Sequence, residues 1–206
     1  MKKSLVSDIN LKSEIESVND SDNGEITVFL SKMIGGYIYL VIDCSSSMDG
    51  KKLDDVKEGA KDFALSAKAK SYLVGLIKFD SGVTLLTEPQ MDLMNIYHKI
   101  DRLGTNGTTN MADAIAMASE KLEQKNGARI MIIATDGMPD NKEKTLEVAH
   151  QAKKNGIEII ALGTDDADEK FLKKIASSNS LGIKVSNNLL GKAIATTAKM
   201  LKKPGG

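Results

Sequence analysis

Residues 37–42, YIYLVI, run through aromatic, β-branched and aliphatic side chains with no polar interruption. A strand with one wet face alternates apolar and polar positions, so an unbroken apolar run of this length suits a strand buried on both faces of a parallel sheet. Asp43 ends the run, and Ser45 and Ser47 follow at intervals of two, which lets an extended turn aim three oxygen-bearing side chains the same way. That is the outline of a cradle for a hard cation. Gly50 then frees the backbone, and the chain takes up a helical period with Leu53, Val56, Ala60, Phe63, Ala64 and Ala67 on one face. The cradle therefore sits between a buried strand and a helix. Taken alone, residues 44–47, CSSS, are equally an ordinary serine-rich connector.

Two later stretches shift that balance. Residues 107–115, GTTNMADAI, open a second helix with hydroxyls, and residues 130–137, IMIIATDG, are a second buried strand ending in a carboxylate, Asp136. Three separated segments thus bring oxygen donors to the ends of strands or the starts of helices. Around them the pattern alternates. Strands are expected at 72–79, with a tight turn at 80–82 and an antiparallel return at 83–86, then at 129–135, at 157–162 and, more weakly, at 182–185. Helices are expected from Glu88-Pro89 through about Ile100, and at 110–124, 141–154, 167–176 and 188–202. The result is an α/β fold, doubly wound, whose mostly parallel sheet has one antiparallel edge strand and helices on both faces. In such sheets ligands bind beyond the carboxyl ends of the strands, where Asp43, Thr109 and Asp136 map.

Length and charge narrow the function. The 206 residues, 41% of them hydrophobic, suffice for one sizeable core, read as residues 37–202 between an extension at 1–36 and a tail at 203–206. In the extension, Leu5, Ile9, Leu11, Ile15 and Val18 suggest a short amphipathic helix, residues 19–24 a solvated turn, and residues 25–31 an edge strand. The 28 basic and 28 acidic residues cancel, aromatics are 4% and Trp is absent, which argues against nucleic acid as a partner. No apolar run approaches the ~20 residues a membrane span needs, the start has no continuous apolar stretch of a signal peptide, and a single cysteine permits no internal disulfide. The expected setting is the cytoplasm, with no membrane contact.

The D-x-S-x-S of Asp43, Ser45 and Ser47, the G-T-T-N-M-x-x-A-I around Thr109, and the T-D-G-x-P turn at Asp136, in this order, resemble a von Willebrand factor A (VWA) domain with its metal-ion-dependent adhesion site (MIDAS). The resemblance runs from Tyr37 to Leu201 and includes S-M-x-G-x-K-L at the first helix and N-G-I-E-I-I-A-L-G at the strand near 157–162. It implies a stand-alone protein-binding module and not an enzyme. It further implies that Ser45, Ser47 and Thr109 contact a divalent cation, while Asp43 and Asp136 act through waters and hydrogen bonds to those hydroxyls. Thr109 is preferred to Thr108 from its spacing to Ala114-Ile115. Neutral hydroxyls leave a dication under-neutralised and ready to take an outside carboxylate, so the expected cofactor is Mg2+, or Mn2+ or Ca2+, and the expected partner is a protein presenting an acidic residue, alone or within a larger complex.

Other features read more plainly. Cys44 is expected to be a small buried residue, since His98 and His150 sit on helices and supply no base. Asp140 could reach the metal edge but is expected rather to cap the helix at 141–154, and Asp165, Asp166 and Asp168 to form a solvated acidic turn before the next helix. Met91, Met94, Met111, Met117 and Met131 are expected to fill the core. Residues 104–107, GTNG, lack the ending of a phosphate loop. The alternatives to a binding module are a Mg2+-dependent phosphoryl-transfer enzyme, poorly supported because no second carboxylate or base accompanies Asp43, and a structural subunit with a purely stabilising metal.

Overall fold

The computed structural model describes residues 34–203. The expected helix, turn and strand before residue 34 and the end of the expected tail lie outside the described residues. The elements are β1 (Gly36–Asp43), α1 (Lys51–Lys68), β2 (Tyr72–Phe79), β3 (Val83–Gln90), α2 (Leu93–Asp101), α3 (Met111–Glu123), β4 (Ala128–Thr135), α4 (Lys142–Lys154), β5 (Glu158–Gly163), α5 (Glu169–Ile175), β6 (Gly182–Lys184) and α6 (Leu190–Thr197).

The six strands order as β3-β2-β1-β4-β5-β6. All neighbours are parallel except β2 and β3, so the antiparallel strand is at the edge as expected. The unbroken apolar runs have their predicted cause. In β1, Ile38, Leu40 and Ile42 face one buried cluster with α1, α2 and α6, while Tyr39 and Val41 face the other, with α3, α4 and α5. In β4, Ile130, Ile132 and Ala134 divide from Met131 and Ile133 in the same way. From β1 the chain winds first toward β2 and then crosses back to β4, so the topological switch lies between the carboxyl ends of these two central strands.

The sheet differs from expectation at its edge. β3 extends to Gln90, and Pro89 lies in the strand rather than opening a helix. Three steps of β3, from Thr87 to Gln90, oppose two of β2, from Leu76 to Val74, so Pro89 falls in an irregularity of an edge strand, where its missing N–H costs no ladder bond. The helix start is set instead by Asp92, whose carboxylate accepts from the N–H groups of Met94 and Asn95. The last helix is also shorter than 188–202. α6 is flanked by 3-10 turns at Asn187–Leu189 and Ala198–Met200. At its end the Thr197 hydroxyl donates to the Ile194 carbonyl at 2.7 Å, and the Lys70 ammonium donates to the carbonyls of Ala198 and Leu201. α6 crosses α1 backbone to backbone: a Cβ at Gly59 would fall on the Gly191 carbonyl, and one at Gly191 on the carbonyl of Asp55. Met111 and Met131 are in the core, but Met94 is 76% exposed, because its place in α2 faces away from Ile96 and Ile100. Among the described residues no helix is long and apolar enough to cross a membrane.

Candidate metal centre

Two buried carboxylates stand at the switch point. Asp43, the last residue of β1, and Asp136, the first after β4, are both fully buried. Asp43 is held entirely by its neighbours: Oδ1 accepts from the Ser45 N–H at 2.8 Å, and Oδ2 from the Thr135 hydroxyl at 2.5 Å. Burial pushes its carboxyl above the ordinary carboxylate range, against the pull of the hydrogen bonds from Ser45 and Thr135. These bonds fix the turn that follows. The Ser45 Oγ lies 3.1 Å from the Ser47 Oγ, and the Ser47 hydroxyl donates to Asp136 Oδ1 at 2.8 Å. Asp43, Ser45, Ser47 and Asp136 are therefore one connected network, reached from two strands and one loop.

The Thr109 segment is tied to the same rim through its backbone. The Ser46 N–H donates to the Gly107 carbonyl and the Asn106 N–H to that of Cys44, joining this loop to the serine turn. Gly107 has a φ of +61°, and a Cβ there would collide with Ser81 Oγ, so the close approach needs glycine. On the other side the Asp140 N–H donates to the Thr109 carbonyl at 3.0 Å, joining it to the turn after Asp136. Among the described residues the Thr109 hydroxyl takes part in no protein hydrogen bond, whereas the Thr108 hydroxyl is committed to Asp140 at 2.7 Å. Of the two threonines, Thr109 is the one whose hydroxyl is uncommitted.

Three residues have roles here that the sequence reading did not assign or did not favour. Thr135 holds Asp43. Asp140 does not cap α4; Asn141 does, accepting from the Lys144 N–H, and Asp140 instead binds the Thr108 hydroxyl and the Thr109 N–H. Lys52, in the first turn of α1, places its ammonium 2.6 Å from Asp136 Oδ2 and 3.2 Å from Asp166 Oδ2. Burial pulls the Lys52 ammonium down, but Asp136 and then Asp166 more than offset it, and its pKa stands above the ordinary lysine value. Asp166 is accordingly a partner and not merely solvated, Asp165 accepts from the Asn187 N–H, and Asp168 caps α5. A lysine at a helix N-terminus opposes the helix dipole, and that misfit was the readable signal.

Cys44 is fully buried, its N–H bonded to the Phe79 carbonyl at 2.7 Å, and burial pushes its thiol up to about 12. It is no nucleophile at neutral pH. His98 and His150 are exposed on helices. Among the described residues no three His, Cys, Asp or Glu side chains are placed to hold a metal, so any ion here draws on hydroxyls as well. The donors present fit one. They are hard oxygens, and a positive charge, the Lys52 ammonium, already rests on Asp136.

The fold and this rim define a doubly wound α/β domain with a cluster of oxygen-bearing side chains at its switch point. The family model of the von Willebrand factor type A domain matches residues 38–196, and the chain belongs to that family. Chicken (Gallus gallus) matrilin-1 is 28% identical over 159 residues, covering 68% of this chain and 31% of matrilin-1. The thrombospondin-related anonymous protein of Plasmodium berghei is 32% identical over 74 residues, 34% of this chain and 12% of that protein. The chain spans less than a third of the length of either. The vWF domain of the type V pili tip protein Mfa5 from Porphyromonas gingivalis superimposes with a TM-score of 0.74 at 13% identity, covering 83% of this chain and 97% of that one. Proximal thread matrix protein 1 from the mussel byssus, solved with a zinc-occupied MIDAS motif, gives 0.71 at 20% identity over 82% of this chain and 46% of its own. These two likenesses bear on the fold.

Proposed function

We propose that this chain is a divalent-cation-dependent protein-binding module acting in the cytoplasm, which captures an Asp or Glu side chain of a partner protein. Ser45, Ser47 and Thr109 would hold the cation, with Asp136 beside them and Asp43 keeping the serine turn in place; Mg2+ is the ion that such a hydroxyl-rich set suits, with Mn2+ and Ca2+ as substitutes. When bound, the dication supplies a Lewis-acid position that a partner carboxylate can occupy. The observation that carries the reading is the hydroxyl pair of Ser45 and Ser47, 3.1 Å apart and hydrogen-bonded to a buried carboxylate. The mussel protein's zinc-occupied MIDAS supports a cation at this position in the fold.

The chain's own residues do the rest. Asp43 spends both oxygens on Ser45 and Thr135, so it orients the turn and is not free to act as a base. The buried Cys44 thiol offers no covalent chemistry, and His98 and His150 lie exposed on helices, so we read the module as non-catalytic. Its lone cysteine suits a reducing setting. Affinity capture from cell extract with the whole chain tests the reading: partners retained in Mg2+ should be lost in chelator and lost with Asp136→Asn. A partner retained equally in chelator would mean that binding does not pass through the rim.

A further inference from the structure

Lys52 brings a formal positive charge to the carboxylate that the serine turn also uses. Its ammonium bridges a fully buried carboxylate, Asp136, and Asp166, whose side chain is 64% exposed; its own side chain is 23% exposed. The two contacts differ in depth. At Asp136, Lys52 takes Oδ2 while Ser47 takes Oδ1, so both oxygens of the carboxylate nearest the hydroxyl pair are engaged, one of them by a formal positive charge. A dication arriving at Ser47 meets that charge on the same carboxylate, and two cations sharing one fully buried carboxylate repel each other. The second contact provides a way out. Asp166 lies toward solvent on the loop after β5, and beside it Asp165 accepts from the N–H of Asn187, whose buried Oδ1 has no hydrogen-bond partner. The ammonium can therefore leave Asp136 without losing its counter-charge.

We propose that Lys52 is a tethered monovalent cation that competes with the divalent ion for Asp136, and that its withdrawal onto Asp166 accompanies cation uptake. In the cation-free protein Lys52 neutralises Asp136, which would otherwise be a buried, uncompensated charge. It also sets the metal concentration at which the rim fills. This inference rests on the cation reading above, and its test separates the two.

The experiment is calorimetric titration of Mg2+ alone into the whole chain as wild type, Lys52→Met, Lys52→Arg, Asp166→Asn and Lys52→Met/Asp166→Asn, with Asp136→Asn as the site control. Lys52→Met keeps the apolar stem and removes the charge, and it should bind Mg2+ more tightly by on the order of tenfold or more. Lys52→Arg keeps the charge and should stay close to wild type. Asp166→Asn should weaken Mg2+ binding about two- to fivefold, as for an exposed pair, and should do so only while Lys52 is present. If Lys52→Met unfolds without metal, its Mg2+ affinity is read from Mg2+-driven refolding followed by circular dichroism. Equal or weaker Mg2+ binding by Lys52→Met, with a wild type that binds, overturns the competition. Null heat from the wild type and from Lys52→Met alike, equal to that of Asp136→Asn, overturns the cation reading and the competition with it.

Discussion

The ends of β1 and β4 carry the same side chain at the same depth and use it differently. Asp43 and Asp136 are both fully buried, and they terminate adjacent parallel strands. Asp43 accepts from a backbone N–H and from a buried threonine on the neighbouring strand, so neither donor can leave without disturbing the sheet. Asp136 accepts from a serine hydroxyl and a lysine ammonium, both on side chains that can rotate away. The difference teaches that burial alone does not mark a binding carboxylate. What matters is whether its partners are built into the scaffold or are exchangeable for an incoming ion.

The sharpest way to break this comparison is to remove each carboxylate and compare stabilities in chelator. Asp43→Ala orphans the Ser45 N–H and the Thr135 hydroxyl, and should destabilise the fold by about 2–4 kcal/mol in urea unfolding, since each unsatisfied buried group costs about 1–3 kcal/mol. Asp43→Asn should show less of that loss, because its amide oxygen still accepts from the Ser45 N–H and its amide N–H can donate to the Thr135 hydroxyl oxygen. The sign with pH follows. Burial raises the folded Asp43 pKa above the unfolded one, so its contribution to stability is present below the unfolded value and is lost as pH rises through the folded value. Metal-free wild type should therefore lose ground to Asp43→Asn as pH climbs from about 4 toward neutrality.

Thr135→Val comes next. It deletes one charge-assisted bond and should cost about 1.5–3 kcal/mol, read from the same unfolding curves; a neutral result would mean that the β1 end is not held as described. Asp136→Asn should be milder in chelator than Asp43→Ala, because Lys52 keeps Asp166 and the amide still accepts from Ser47, yet it should lose Mg2+ binding. The smallest effect belongs to Thr109→Ala, whose hydroxyl serves no protein bond. Its stability should stay within about 0.5 kcal/mol, with a measurable drop in Mg2+ affinity and a larger one in partner capture; full partner affinity would show that Thr109 is not at the contact.

Most of the fold and part of the site are legible in the amino-acid sequence. The apolar runs ending at Asp43 and Asp136 mark the central strands, because only strands buried on both faces tolerate such sequences. Periodicity locates α1, α3 and α4 to within a residue or two. Where the sequence misleads, two local signals compete. Glu88-Pro89 looks like a helix start, but proline is equally at home at an irregular edge, and Asp92 is the stronger cap. Asp140 and Asn141 are adjacent capping residues, and only the approach of the Thr108 loop, thirty-two residues away in sequence, decides between them. Lys52 and Thr135 act across the sheet on partners eighty-four and ninety-two residues distant, which periodicity cannot register.

The central claim is that the rim around Asp136 takes a divalent cation, and the thermal unfolding midpoint in excess Mg2+ against excess chelator tests it most directly. An ion that binds the folded chain and not the unfolded one raises the midpoint by mass action. The wild type should show a Mg2+-dependent rise that disappears in Asp136→Asn. A wild type melting at the same temperature in Mg2+, Mn2+, Ca2+ and chelator would contradict it.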